Sequence, residues 1–155
     1  MLADADGVAF CIWQPGERMG AQLVNEPGSW AMSSLHAPSR ERAEAFYATA
    51  FGWKLEAQPA APTAFWRLPG HVGGENDQSM PRDVVAVMTM IEANEQIPPH
   101  WGVNFTVEDV DTVAERAIDL GGALVMAPMT APGFRSAVIA DPGQGVIAVS
   151  ASLNR

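Results

Sequence analysis

The feature that most constrains the fold of this chain is a pattern of elements that occurs twice along its length. One helix is predicted to begin at Ser39, which suits an N-cap, and to end at Gly52. A second helix is predicted to begin at Asp109 and to end at Gly121-Gly122. Both carry one apolar stripe at helical spacing: Ala43, Phe46, Tyr47, Ala50 and Phe51 in the first, and Val110, Val113, Ala114, Ala117 and Ile118 in the second.

Strand-like runs surround each helix in the same order. One run precedes each helix, at Trp30 to Ala37 and at Trp101 to Val107. Three more follow each helix, at Lys54 to Gln58, Ala64 to Leu68 and Val84 to Ile91, and at Ala123 to Met126, Arg135 to Ala140 and Gly145 to Ser152. The sequence therefore predicts two successive βαβββ units, which is an internal duplication.

The first residues repeat the end of this pattern. The segment from Asp4 to Phe10 resembles the segment from Asp141 to Ile147, because in each an acidic turn leads into an apolar run. We therefore expect Gly7 to Trp13 to form a strand that resembles the closing strand of a preceding module. The expected organisation is a closing strand and connector over residues 1–29 and a complete module over residues 30–155.

Composition restricts the classes of partner. The chain has 155 residues, one domain's worth, and its net charge of −9 disfavours a surface that follows nucleic-acid phosphates. No apolar run reaches the roughly 18 to 20 residues that span a bilayer. The acidic start lacks an export signal, and the single cysteine, Cys11, fits a reducing compartment. We expect a cytoplasmic protein that binds neither nucleic acid nor membrane.

Three segments carry a resemblance to the vicinal oxygen chelate superfamily, which includes glyoxalase I, bleomycin-resistance proteins and extradiol dioxygenases. They are residues 43–53, residues 101–111 and Asp141-Pro142-Gly143. Residues 13–28 also look like the connector of tandem members from actinobacteria. The resemblance implies an α+β fold in which paired βαβββ units form a half-open curled sheet around a cavity, and it identifies the chain as similar to the C-terminal module of a tandem protein.

Metal-using members of that superfamily take their ligands from the first and last strands of each unit. The matching positions in the module are Ser34, Gly102 and Ala148. In the N-terminal strand predicted over Gly7 to Trp13, the position that matches Ala148 is Cys11. None of the first three is the imidazole, thiolate or carboxylate that a divalent ion requires. We therefore expect no metal and no cofactor, although a rebuilt site of His36, His100 and Glu108 stays open as an alternative.

Strand alternation and residue chemistry select the candidate ligand-binding residues. The set predicted to line a cavity is Ser34, His36, Trp66, His100, Trp101, Asn104, Phe134 and Ala148. The indoles of Trp66 and Trp101 need hydrogen-bond partners, which a wet cavity would supply. The adaptable apolar residues Met80, Met88, Met90, Met126 and Met129 can line such a pocket or form ordinary core.

Charged and reactive residues offer further contacts. Arg67 and Arg135 could pair with an anionic ligand, and Asp83 and Glu92 with a cation. Cys11, within an apolar strand, is expected to be an inert small hydrophobe.

These features predict a metal-independent module that binds a small, partly apolar or aromatic molecule. The alternatives are a glyoxalase-like lyase or isomerase, or a dioxygenase-type enzyme, with a rebuilt metal site; an acid/base catalyst that uses His36 or His100; and a structural module retained for assembly. No catalytic residue is assigned. An unpaired apolar strand would be an exposed edge, so we expect the first strand to pair with the module or with a second copy, as in a homodimer.

Overall fold

Each predicted helix forms because its end groups are satisfied locally. The computed structural model describes residues 1–17, 20–57, 63–71, 83–92 and 97–153. The Ser39 hydroxyl accepts a hydrogen bond from the Arg42 backbone N–H, and Gly52 ends the helix in the left-handed conformation, with φ of 70°. The Asp109 carboxylate accepts from the Thr112 N–H at the start of the second helix. Both predicted helices are confirmed.

The described residues form ten strands and two helices. Their bounds are β1 Leu2–Ala3, β2 Ala9–Phe10, β3 Trp30–Ala37, α1 Arg40–Phe51, β4 Lys54–Ala57, β5 Thr63–Arg67, β6 Val84–Met90, β7 His100–Thr106, α2 Val110–Asp119, β8 Ala123–Ala131, β9 Phe134–Ala140 and β10 Val146–Ser152. The βαβββ order thus occurs twice, from β3 to β6 and from β7 to β10, which confirms the α+β duplication. Within the two βαβββ units, strand ends differ from the prediction by at most one residue, except at the end of β8. This strand continues five residues past the predicted end at Met126 because it stays paired with β9 as far as Ala131.

The chain divides into two compact units. Unit 1 comprises Met1–Gly20 and Ser33–Trp101, and unit 2 comprises Ala21–Met32 and Gly102–Arg155. In unit 1 the strands lie in the order β4, β5, β6, β3, and in unit 2 in the order β7, β10, β9, β8. In both units the first strand lies parallel to the last one, while the other neighbours are antiparallel. The same topology therefore occurs in both units.

Unit 1 has a large aromatic core on the helix-facing side of its sheet. Tyr47 of α1 contacts the rings of Trp53 and Trp66 at centroid distances of 5.6 and 5.5 Å. Leu35 and Met88 supply aliphatic volume and are almost fully buried. In unit 2 the core is smaller and consists of Val110, Ala137 and Val149 with partly buried neighbours.

The N-terminal segment differs from its prediction. The expected strand from Gly7 to Trp13 is wrong in extent, since β2 covers only Ala9–Phe10 and pairs with β1 in a short antiparallel hairpin. Val8 lies in the core of unit 1 with 2% of its surface exposed, and the Phe10 ring contacts Phe46 at 6.0 Å. Burial of these two side chains therefore attaches the hairpin to unit 1.

Residues 21–32 belong instead to unit 2. The Gly28 N–H donates to the Thr106 carbonyl at 2.8 Å, and the Thr106 N–H donates to the Ser29 carbonyl at 2.9 Å. The derivation of residues 1–29 from a preceding module stays a prediction.

Neither helix of the described residues is long and apolar enough to cross a membrane.

Candidate ligand-binding site

Three of the predicted site residues lie together in unit 1. Ser34 Oγ is 3.1 Å from His36 Nε2. The imidazole rings of His36 and His100 stack with a centroid distance of 4.5 Å and an interplanar angle of 1°. We call Ser34, His36 and His100 the histidine cluster.

Strand alternation explains why the histidine cluster is accessible. On β3, Leu35 and Ala37 are fully buried in the core beneath α1, whereas Ser34 and His36 are half-buried. Successive side chains of a strand point to opposite faces, so Ser34 and His36 lie on the face opposite the helix. The parallel pairing of β3 with β6 fixes this register, with Ser34 opposite Val87.

The hydrogen bonding of His100 assigns its tautomer. Its Nδ1 lies 2.8 Å from the carbonyl oxygen of Pro98. A carbonyl oxygen can only accept, so Nδ1 carries a proton, and in the neutral ring Nε2 keeps its lone pair. His100 can therefore accept a hydrogen bond from a ligand at Nε2.

Metal-using members of the superfamily that the sequence resembles hold a divalent ion, but the residues present here do not fit one. An imidazole binds an ion through a lone pair in its ring plane, at about 2.0 to 2.1 Å. The parallel rings of His36 and His100, 4.5 Å apart, direct their lone pairs along separate planes and cannot share an ion in this arrangement. The rebuilt site with Glu108 is also not assembled, because no three His, Cys, Asp or Glu side chains of the described residues are grouped for metal binding.

Trp66 and Trp101 lie on the other side of the unit 1 sheet. Trp66 is fully buried in the core beneath α1, and its indole Nε1 has no hydrogen-bond partner among the described residues. The Trp101 indole N–H donates to the Tyr47 hydroxyl at 2.8 Å. The expectation that a wet cavity satisfies both indoles is therefore wrong for Trp101, whose partner is a protein hydroxyl.

A buried hydrogen-bond chain through Tyr47 was not predicted. The Tyr47 hydroxyl donates to Asp4 Oδ2 at 2.9 Å while it accepts from Trp101. Burial raises the pKa of Tyr47 well above its usual value, and the neighbouring Asp4 carboxylate adds to the increase, while the bond from Trp101 opposes it. The polar hydroxyl of Tyr47 within an apolar helix stripe was the sequence feature that could have indicated these hydrogen bonds.

The remaining predicted residues lie in unit 2. The Asn104 side-chain amide donates to Ser150 Oγ at 3.0 Å, and its Oδ1 is buried without a partner among the described residues. Ala148 lies opposite Asn104 on the neighbouring strand. Phe134 is 44% exposed at the start of β9, opposite Ser152.

These unit 2 residues share one face of their sheet. Ala137 and Val149 are buried against α2, so the alternate positions of β9 and β10 face the other way. That opposite face consists mostly of small and polar residues together with Phe134 and Val138, and its members are Asn104, Thr106, Phe134, Ser136, Val138, Ala148 and Ser150.

The methionines divide between core and surface positions. Met88 is fully buried in the core of unit 1, and Met90 packs against that core. In unit 2, Met126 and Met129 pair with Val138 and Ser136 and so lie on the same face as Asn104. Met80 lies outside the described residues.

The arginines proposed as anion contacts have partners within the protein. Arg67 Nε donates to Glu56 at 2.6 Å, and its guanidinium also pairs with Asp83. Arg135 forms a bidentate pair with Asp111, with both bonds at 2.6 Å, which lowers the pKa of that carboxyl.

The prediction that Cys11 lies within an apolar strand is wrong, because Cys11 lies beyond the end of β2 and is exposed.

Two open grooves lie elsewhere. One, of about 450 Å³, borders α1 in unit 1 near Arg42 and Phe46. The other, of about 410 Å³, lies in unit 2 between α2 and the ends of β9 and β10, near Leu120 and Ile147. Neither groove includes a predicted site residue.

Comparison with known proteins agrees with this architecture. The chain is 31% identical over 94% of its length to the putative glyoxylase CFP32 of Mycobacterium tuberculosis. It is 30% identical over 92% of its length to the anthracycline biosynthesis protein DnrV of Streptomyces peucetius. These alignments cover 52% and 48% of the relatives, so the chain spans about half the length of the curated relatives it matches.

Solved structures show the same fold at low sequence identity. An Mn(II)-bound glyoxalase from Novosphingobium aromaticivorans has a TM-score of 0.52 and 18% identity, covering 83% of this chain and 39% of that one. A Streptomyces coelicolor methylmalonyl-CoA epimerase variant has a TM-score of 0.51 and 13% identity, covering 83% and 97%. Residues 31–149 match the glyoxalase-like domain family. Since this match covers more than half of the sequence, the chain belongs to the glyoxalase-like domain family.

Proposed function

We propose that this chain is a metal-independent module that binds a small, partly apolar or aromatic molecule. The observation that carries the proposal is the histidine cluster, where parallel stacked imidazoles occur in place of a converging set of metal ligands. A flat imidazole face can stack on an aromatic ligand, while its ring nitrogens exchange hydrogen bonds with polar substituents.

The names of the relatives indicate which molecules to test first. Two curated relatives are named anthracycline biosynthesis proteins, and anthracyclines are flat aromatic molecules with hydroxyl and carbonyl groups. Such a ligand fits the chemistry of Ser34, His36 and His100, because it has an aromatic face and both donors and acceptors.

Calorimetric titration of the full chain with daunorubicin tests this proposal. We expect saturable binding that a chelator does not change. His36→Ala and His100→Ala should each weaken binding by about 2- to 10-fold, since an aromatic contact contributes about 0.5 to 1.5 kcal/mol. His71→Ala is the matched control because His71 is exposed in a turn after β5, and it should not change the affinity. Equal affinity in all three variants would place the ligand elsewhere.

The alternative is a glyoxalase-like lyase or isomerase with a metal site. The name of the mycobacterial relative favours this possibility. Elemental mass spectrometry before and after dialysis against a weak chelator, followed by assay of the hemithioacetal of methylglyoxal and glutathione with Mn²⁺ or Ni²⁺, separates the two. We expect neither retained metal nor turnover. Stoichiometric metal with turnover would replace the binding proposal.

We also infer that residues 30–155 correspond to the C-terminal module of a two-module relative. The lengths of the curated relatives support this inference. Separate alignment of this chain with each half of a relative tests it, since we expect higher identity to the C-terminal half. We also propose that the protein is cytoplasmic. Cell fractionation tests this location.

A further inference from the structure

We propose that Ser34 is a nucleophile that accepts the acyl group of small activated esters or thioesters, with His36 as its base. The Ser34 Oγ to His36 Nε2 distance of 3.1 Å lies within the hydrogen-bonding range expected of a nucleophile and its base. This activity goes beyond the proposed binding function, although it uses the same face of unit 1.

The strand holds the two side chains in this arrangement. Ser34 and His36 are two residues apart on β3 and therefore lie on one face. Pairing of β3 with β6 fixes both positions, with Ser34 opposite Val87 and His36 opposite Thr89. The dyad is thus held by backbone hydrogen bonds rather than by a loop.

His100 acts as a positioning residue for the base. Its ring lies parallel to that of His36 at 4.5 Å, and its own orientation is fixed by the bond from Nδ1 to the Pro98 carbonyl. A base held in place by a third group is the arrangement that activates serine nucleophiles in general. Both imidazoles are half-buried, so a small ester can approach from solvent.

The reaction balances without a cofactor. His36 Nε2 takes the Ser34 hydroxyl proton as Oγ attacks the acyl carbon, and the bond from that carbon to the leaving oxygen or sulfur breaks. The proton then passes from His36 to the leaving group. In a second step, water attacks the acyl carbon of the Ser34 ester and loses a proton to His36. The bond from that carbon to Ser34 Oγ breaks, His36 returns the proton to Oγ, and the carboxylic acid leaves.

Incubation of the full chain with 4-nitrophenyl acetate tests the proposal. We expect a burst of one 4-nitrophenolate per chain, and peptide mass spectrometry should locate one acetyl group on Ser34. Ser34→Ala should abolish the burst, and His36→Gln should slow acylation by about 10²-fold or more. Ser136→Ala is the matched control, because Ser136 is a half-buried serine on a strand of unit 2. This variant should still be acetylated on Ser34 with the same burst as the wild type.

Variants of His100 separate positioning from simple structural support. His100→Phe keeps a flat ring against His36 and should retain the burst, whereas His100→Ala should slow it although the protein remains folded by circular dichroism. An acetyl group on another residue, or a burst that survives Ser34→Ala, would overturn the proposal. Daunorubicin binding is measured on the same samples, so an unsubstituted chain that binds daunorubicin but gives no burst would refute only this inference.

Discussion

The hydrogen-bond chain from Trp101 through Tyr47 to Asp4 makes the sharpest stability prediction. Tyr47 is 1% exposed, and its hydroxyl links Trp101 to Asp4. Tyr47→Phe keeps the ring but removes both bonds. A net loss of about 1 kcal/mol for the neutral bond and about 1.5 to 2 kcal/mol for the bond to the carboxylate gives a total of about 2.5 to 3 kcal/mol.

Chemical denaturation followed by tryptophan fluorescence measures this loss. In a thermal scan of a chain of this length, we expect the melting temperature to fall by about 5 to 12 °C. Thr49→Val is the control, because Thr49 is exposed and its hydroxyl donates to the Ala45 carbonyl of its own helix. Its free energy of unfolding should stay within about 0.5 kcal/mol of the wild type.

A double-mutant cycle with Asp4→Ala isolates the bond between Asp4 and Tyr47. We expect a coupling energy of about 1 to 2 kcal/mol, since residues that share a hydrogen bond do not act additively. A coupling energy near zero, or a Tyr47→Phe variant as stable as the wild type, would refute the view that these hydrogen bonds stabilise the packing of the N-terminal segment in unit 1.

Other predictions concern pH, packing, reactivity and assembly. Because burial raises the pKa of Tyr47, the neutral hydroxyl is favoured in the folded state; stability is fully present below the unfolded value of about 10 and declines at higher pH. Tyr47 is the single tyrosine, so its phenolate absorption should appear only as the chain unfolds. Gly122→Ala should cost about 1 to 3 kcal/mol in thermal unfolding, since a Cβ there would lie 2.5 Å from the Ala140 carbonyl oxygen. Cys11 should be fully modified by a thiol reagent in the native protein, because it is exposed. We expect a dimer by light scattering, because Trp13 is 63% exposed beyond β2, and a monomer mass would contradict this.

The sequence by itself determined the features that depend on local chemistry. Ser39, Gly52 and Asp109 bond to backbone groups within a few residues, so the ends of both helices could be predicted. Period-two alternation correctly separated Trp66 from Arg67 and placed Ser34 and His36 on one face. The duplicated order of elements then indicated the fold.

Only the tertiary structure decided which residues meet across long sequence separations. His36 and His100 stack although 64 positions separate them, and Asp4 bonds to Tyr47 at a separation of 43. Alternation places Trp66 on a face but does not say which face α1 covers, so the core position of Trp66 was not predictable. Such contacts depend on how strands and helices pack, because the free energy of burial is a property of the assembled core rather than of any local segment.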